Sequence, residues 1–268
     1  MPRGYSAAEM ADDKIRLGGM ALGNGVLVHG PTAWACAIRT DDGAIEVASR
    51  KKRVRAARVR NPILRGPARL LEALALLPQV KRALPHAKLP MQNGRVAAAV
   101  AGATLATKGI RDNERLRPAA KELLVGMFSF APALFALRGG DLAAYHGAEH
   151  IAIGNYEHGG GATKEHERCG GHLIGPLFAT SAVGNTLAGI APERLRGPAR
   201  AAAQLGALAA TTEIFGWMTR HPESPVAQAL SKPGHELQHR LSTAEPTPEQ
   251  LEVAEAALAA CLALEDGA

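Results

Sequence analysis

Aromatic side chains are scarce in this chain of 268 residues: five Phe, three Tyr and two Trp, or 4%. Base stacking is therefore poorly supplied, and recognition of nucleic acid on aromatic platforms is not expected. Cysteine is scarcer still. Cys36, Cys169 and Cys261 are odd in number and unevenly spaced. They form no disulfide framework and point to a reducing compartment. Long apolar runs are also missing. Residues 123–137 fall short of the roughly 20 residues a membrane span needs. Residues 173–192 are long enough but diluted by Gly, Pro, Ser, Thr and Asn185. Both read as buried helices of a soluble protein, with peripheral membrane contact left open. The first twenty residues hold no apolar core, so no secretory leader is expected. A cytoplasmic location follows, membrane-associated if those helices touch a lipid surface.

The charge is unbalanced. Thirty-one Lys and Arg face 25 Asp and Glu, giving a net +6 and a pI near 9.5. Much of the excess lies in the run RKKRVRAARVR, residues 50–60. Such a run suits phosphate or an anionic membrane, and equally a solvated face. No recognition motif accompanies it, so nucleic acid is not an expected partner. The expected partners are a small-molecule or peptide substrate, with homo-oligomerisation and membrane contact open. Hydrophobic residues make up 47%, enough for a sizeable core.

The pattern predicts an α+β fold that is mostly α: a small N-terminal antiparallel β unit, then a helical bundle carrying a metal site. The β unit is expected within residues 1–60 and the helical part within 61–268, as one integrated fold. Residues 26–30, 34–40 and 44–54 are β-rich, and Asp41-Asp42-Gly43 is a hairpin turn between the last two. Gly18, Gly19, Gly23, Gly25 and Gly30 crowd the entry, which suggests tight turns or close backbone approach. Helices are predicted over 66–84, 94–108, 119–137 (with Pro132 as a kink or break), 141–158, 173–190 and 198–220. Thr247 caps a last helix over 248–264. Asp141 is a suitable N-cap for the fourth helix and the run Gly159–Gly161 its stop.

The densest chemistry lies in residues 145–172, YHGAEHIAIGNYEHGGGATKEHERCGGH. This stretch holds His146, His150, His158, His166 and His172, with Glu149, Glu157, Glu165, Glu167 and Cys169. Imidazole, carboxylate and thiolate are the usual protein ligands of transition metals. At about 100° per residue, Glu149 and His150 share a helix face with His146. The spacing His146-Gly-Ala-Glu149-His150 fits the inverted zincin pattern H-x-x-E-H, two metal ligands flanking a general base. Glu157 shares that face but lies about 10 Å along the axis from His150. His166, Cys169 and His172, spaced by three, could serve a second ion or bend back to the first. Cys169 is a candidate ligand and a candidate nucleophile, with His166 and Arg168 near it in sequence. A second pattern, His235-Glu-Leu-Gln-His239, fits H-E-x-x-H, but its flanks are not those of a long apolar active-site helix.

Several blocks taken together resemble the YqhQ-like family of uncharacterised bacterial proteins, whose members are predicted to be metal-dependent enzymes. The blocks are GGMALGNGVLVHGP, NPILRG from Asn61 to Gly66, YHGAEH with Tyr156-Glu157, His166-Glu-Arg168-Cys169-Gly170, Thr212-Glu213 and PGHELQHRLSTAEPTPEQLEVAEAAL. The likeness covers nearly the whole chain. It implies a functional set of His146, Glu149, His150, Glu157, His166, Cys169 and Glu213, with Glu213 as an acidic ligand from a later helix. It also weakens the H-E-x-x-H reading, because family members have apolar and arginine residues where this chain has His235 and His239. Met20, Asn24 and His29 depart from the family's glutamine, glutamate and arginine, which implies a different substrate if they touch one. Family members carry more apolar, membrane-spanning helices, so this chain reads as a diverged, soluble or peripheral member serving a specialised biosynthetic pathway.

Three functions remain open. In a hydrolase, His146, His150 and Glu213 hold a divalent ion, zinc, and Glu149 is the base. In a non-haem iron oxidoreductase, one or two iron ions use the same histidines and carboxylates. In a structural module, the ion only ties helices together.

Overall fold

The structure, a computed structural model, describes residues 14–53, 56–90, 94–137 and 140–267. Residues 1–13, which carry most of the segment read for a leader, lie outside it, as do Val54 and Arg55 of the basic run.

The N-terminal part is a four-stranded antiparallel meander in the order β1-β2-β3-β4. The strands are β1 (Gly18–Leu22), β2 (Gly25–His29), β3 (Ala33–Arg39) and β4 (Ile45–Lys51). Among the described residues eight α-helices follow: α1 (Pro62–Ala83), α2 (Gly94–Asp112), α3 (Pro118–Leu137), α4 (Gly140–His158), α5 (Ile174–Gly189), α6 (Arg196–Met218), α7 (Pro225–Leu237) and α8 (Pro248–Asp266). The architecture is the expected mostly helical α+β fold. β1 was not expected as a strand, because three of its flanking and interior positions are glycine and it holds no β-branched or aromatic residue. α7 is not among the helices expected from the sequence, and α3 runs through Pro132.

Both faces of the sheet are covered, so β2 and β3 are buried almost continuously rather than alternately. On one face Val26, Val28, Ala35 and Ala37 pack against Ala148, Ala152 and Ile153 of α4 and against Val253, Ala254, Ala257 and Cys261 of α8. The small residues let these two helices lie close to the strands. On the other face Leu27, Trp34, Cys36 and Ile38 meet Leu76 and Val80 at the end of α1, with Leu84 and Ala87 beyond it. The first face thereby seats α4, the histidine helix, directly under the sheet.

Local signals explain the ends of several elements. Asn61 Oδ1 accepts from the Ile63 amide at 2.9 Å and starts α1, with Pro62 at its first position. Thr247 and Gln250 form a capping box at α8. α4 stops at His158, ahead of the glycine run. The basic run is not a uniform solvated face: Lys52 turns inward and pairs with Glu72. Among the described residues no helix is long and apolar enough to cross a membrane.

The end of α8 is tied to the β2–β3 turn by one carboxylate. Buried Glu265 accepts from the Thr32 amide at 2.7 Å, the Thr32 hydroxyl at 2.7 Å and the Ala33 amide at 2.6 Å. Glu265→Ala leaves these donors without their acceptor and is expected to cost roughly 2–4 kcal/mol. Urea unfolding should show a lower midpoint at unchanged slope.

Candidate metal centre

The site is built on α4 from below and closed by two later segments. His146 and His150 lie one turn apart with ring centroids 4.3 Å from each other. Each ring is oriented by a backbone carbonyl. His146 Nδ1 donates to Ser242 O at 2.8 Å, and His150 Nδ1 donates to Lys164 O at 2.6 Å. With Nδ1 protonated, Nε2 of each ring is left with its lone pair. This is the outer-shell arrangement that fixes the tautomer of metal-ligating histidines. Cys169 completes the group: one donor atom from each of His146, His150 and Cys169 lies within 4.8 Å of the others.

Cys169 Sγ stands 3.5 Å from His146 Nε2. That matches the edge of a tetrahedron with metal–ligand bonds of about 2.0–2.3 Å. The Gly171 amide donates to Sγ at 3.4 Å, which favours a thiolate. Without a cation, burial pushes the Cys169 thiol up to about 12, the Gly171 bond opposing only part of this. A lone nucleophile at that value is inert, whereas a metal ligand is deprotonated by the ion itself.

Glu149 lies beside the group, Oε2 4.0 Å from His146 Nε2. It is buried, and desolvation raises its carboxyl to about 7, against the opposing pull of His166. Burial lowers both His146 and His150, and the mutual repulsion of the two rings lowers His150 further. Neutral imidazoles, a thiol and a half-ionised acid thus share one buried space. Each is the protonation state, or one proton from it, in which such a group meets a cation.

Two glycines make the closeness possible. A Cβ on Gly19 of β1 would run into the Glu149 carboxylate, and one on Gly147 of α4 would run into the Ala244 carbonyl. The first lets the strand lie on the acid. The second lets the segment after α7 cross α4, where the Ala244 amide donates to Ala143 O at 3.0 Å. That crossing presents Ser242 O to His146. It follows a wide π turn over Gln238–Ser242, a form of helix end often found at functional sites.

The remaining expected residues are placed otherwise. Glu157 is buried and forms an ion pair with Arg168, while its Oε2 accepts from His166 Nε2 at 3.1 Å. His166 Nδ1 accepts from the Arg168 amide at 3.2 Å. Both ring nitrogens of His166 are therefore spent in this arrangement, and it braces the wall of the site instead of joining the three donors. Glu213 is held in a two-point ion pair by Arg65 of α1, which accounts for its lowered carboxyl, and it is not in the donor group. The expectation of Glu213 as the third ligand could not weigh Arg65, 148 residues away in sequence. His172 is buried and satisfied by Ser231 O and Gln238 Nε2, each at 3.0 Å. His235 and His239 are exposed and stacked on each other at 6.4 Å, and His239 meets Glu165. Among the described residues His146, His150 and Cys169 are the group with metal-holding geometry.

Gln238 was missed from sequence. It is fully buried, accepts from the His166 amide at 2.8 Å, and donates to His166 O and His172 Nε2. It pins the loop that carries Cys169. Its position inside the H-E-x-x-H pattern, next to His239, was the available signal.

A cavity of about 390 Å³ opens on the three donors and on Glu149, walled by Leu17–Ala21 and reaching His29 and Arg168. Behind His166 lies a second cavity of about 530 Å³, lined among others by His158, His172, Phe215 and His235.

Residues 141–264 match the family described as "Protein of unknown function (DUF1385)". No curated protein and no solved structure matches the chain.

The shifted acid has a consequence for stability. Glu149 has its folded value raised from 4.5 to about 7, so in chelator its ionisation opposes folding as pH rises through that window. Above pH 7 the penalty is roughly 3 kcal/mol. The buried histidines act in the reverse sense, losing stability as pH falls below about 6.5. Glu149→Gln should therefore stabilise the metal-free protein at pH 8 and leave pH 4.5 nearly unchanged. Urea midpoints at the two pH values, in EDTA, measure this.

Proposed function

We propose that the chain is a zinc-dependent hydrolase, a YqhQ-like member of the family that residues 141–264 match. The observation that carries the reading is the convergence of one donor atom each from His146, His150 and Cys169 beside a buried carboxylate at the end of an open cavity. Two imidazoles and a thiolate suit zinc, and three protein ligands leave a fourth position for water or substrate. A bound zinc ion supplies Lewis acidity toward that water.

The residues around the donors have separable tasks. Ser242 O and Lys164 O hold the two rings in their ligating tautomer. Gly171 N–H steadies the Cys169 thiolate. Glu149, drawn to its ionised form by a neighbouring cation, takes a proton from water and returns it to the leaving group. Its placement against Gly19 keeps it from swinging away. The Glu157–His166–Arg168 cluster closes the far wall.

The iron reading loses ground on the donor set. Glu157 and Glu213, the carboxylates it needs, are committed to Arg168 and Arg65. A purely structural ion would call for closed coordination, whereas this group borders a cavity. We place the protein in the cytoplasm. Exposed Ile63, Leu71, Leu105, Ile190 and Leu205 provide apolar surface for peripheral membrane contact or a second copy.

Protein purified without added metal and analysed for elements should hold about one equivalent of zinc per chain and no visible absorbance; iron at that stoichiometry overturns the assignment. Cys169→Ala and His150→Ala should each weaken zinc retention against a chelator by 10-fold or more. Glu149→Gln should keep the zinc and lower hydrolysis of p-nitrophenyl acetate by about 10²–10⁴-fold. Loss of zinc in that variant would instead make Glu149 a ligand.

A further inference from the structure

β1 is an edge strand. It pairs with β2 and, among the described residues, with nothing on its other side. The hairpin has a two-residue turn, so the pair next to it, Leu22 with Gly25, closes the ladder. Bonded and non-bonded pairs alternate along an antiparallel ribbon. Gly18, Met20 and Leu22 therefore spend their backbone groups on β2. Gly19 and Ala21 turn theirs outward, and no described residue bonds them there.

That open edge is not on the general surface. Leu17–Ala21 forms one wall of the cavity that holds His146, His150, Cys169 and Glu149. Gly18 and Gly19 have no side chains to hold another backbone off, and Gly19 itself lies on the Glu149 carboxylate. An unpaired strand edge invites aggregation unless something covers it. Here it runs alongside the proposed water-activating group. A small polar molecule would have no use for a row of backbone donors and acceptors at strand spacing. A polypeptide would use all of them.

We propose that the substrate is an extended peptide that adds to the outer edge of β1 as a further strand, which brings one of its carbonyls over Glu149 and the His146–His150–Cys169 group. This rests on the hydrolase reading and narrows its substrate class. The step balances simply. The oxygen of water bonds to the carbonyl carbon, and the carbon–nitrogen bond breaks. Glu149 carries the water proton to the departing nitrogen. The products are a carboxylate-ended and an amine-ended fragment. Affinity comes from the ladder to Gly19 and Ala21, and specificity from alternate side chains, since only every second one faces the protein.

The test uses the zinc-loaded full chain and a proteome-derived peptide pool, with new ends read by mass spectrometry. One cleaved sequence is then resynthesised with a single N-methyl group at each successive amide. Cleavage is expected, with kcat/KM falling about tenfold at every second position near the cut and little at those between, as befits one lost hydrogen bond at a time. Cleavage with no two-residue alternation overturns the strand pairing. An intact peptide pool, with p-nitrophenyl acetate still hydrolysed in a Glu149-dependent way, overturns the peptide assignment and leaves the hydrolase reading standing. If neither probe is turned over, the hydrolase reading fails and this inference fails with it.

Discussion

The arrangement around α4 depends on one electrostatic constraint: an acid, two imidazoles and a thiol are buried together with no fixed positive charge among them. Glu149 is pressed against a strand, and desolvation alone holds half its population neutral near pH 7. The nearest full cation in the wall, Arg168, is committed to Glu157. Such a grouping is poor for stability, because each member loses hydration without gaining a charge partner. It is good for holding a divalent ion, whose charge would favour the ionised acid and the thiolate at once. Folds tolerate such local costs where function needs them.

The rest of the molecule supplies the rigidity that this grouping requires. The sheet and α8 grip α4 through small residues, fixing the two histidines in height and rotation. Two carbonyls from separate parts of the chain then set their ring orientation. One lies in the loop after the glycine run, the other beyond α7. Neither carbonyl belongs to a residue whose side chain does chemistry, so the ligand geometry is determined largely by backbone.

This division explains what was legible in the sequence. The i, i+4 histidines and Glu149 follow from helical periodicity alone, and Cys169 from donor chemistry within reach. The sheet's second, third and fourth strands follow from β-branched and apolar runs around Asp41-Asp42-Gly43, and the α8 cap from Thr247 and Gln250. Hidden from the sequence were interactions made by backbone or across long separations. Ser242 and Lys164 act through carbonyls, which every residue has. Glu213 is an unremarkable helical acid until Arg65 is seen beside it. β1 has no β-branched or aromatic residue to announce a strand, and its glycines signalled close approach without saying to what. The acid it approaches is Glu149.

The position of α8 has a consequence for assembly. The core that seats the histidine helix draws Val253, Ala254, Ala257 and Cys261 from the far end of the chain, and Glu265 clamps that end to the β2–β3 turn. During synthesis the ligands His146, His150 and Cys169 leave the ribosome well before the helix that completes their platform. The nascent chain thus exposes a thiol and several imidazoles with no finished scaffold to select among metals. Selection must wait for the closing of a loop that spans nearly the whole polypeptide, a slow event by polymer physics. The order of emergence sets a time before which the wrong ion is as welcome as the right one.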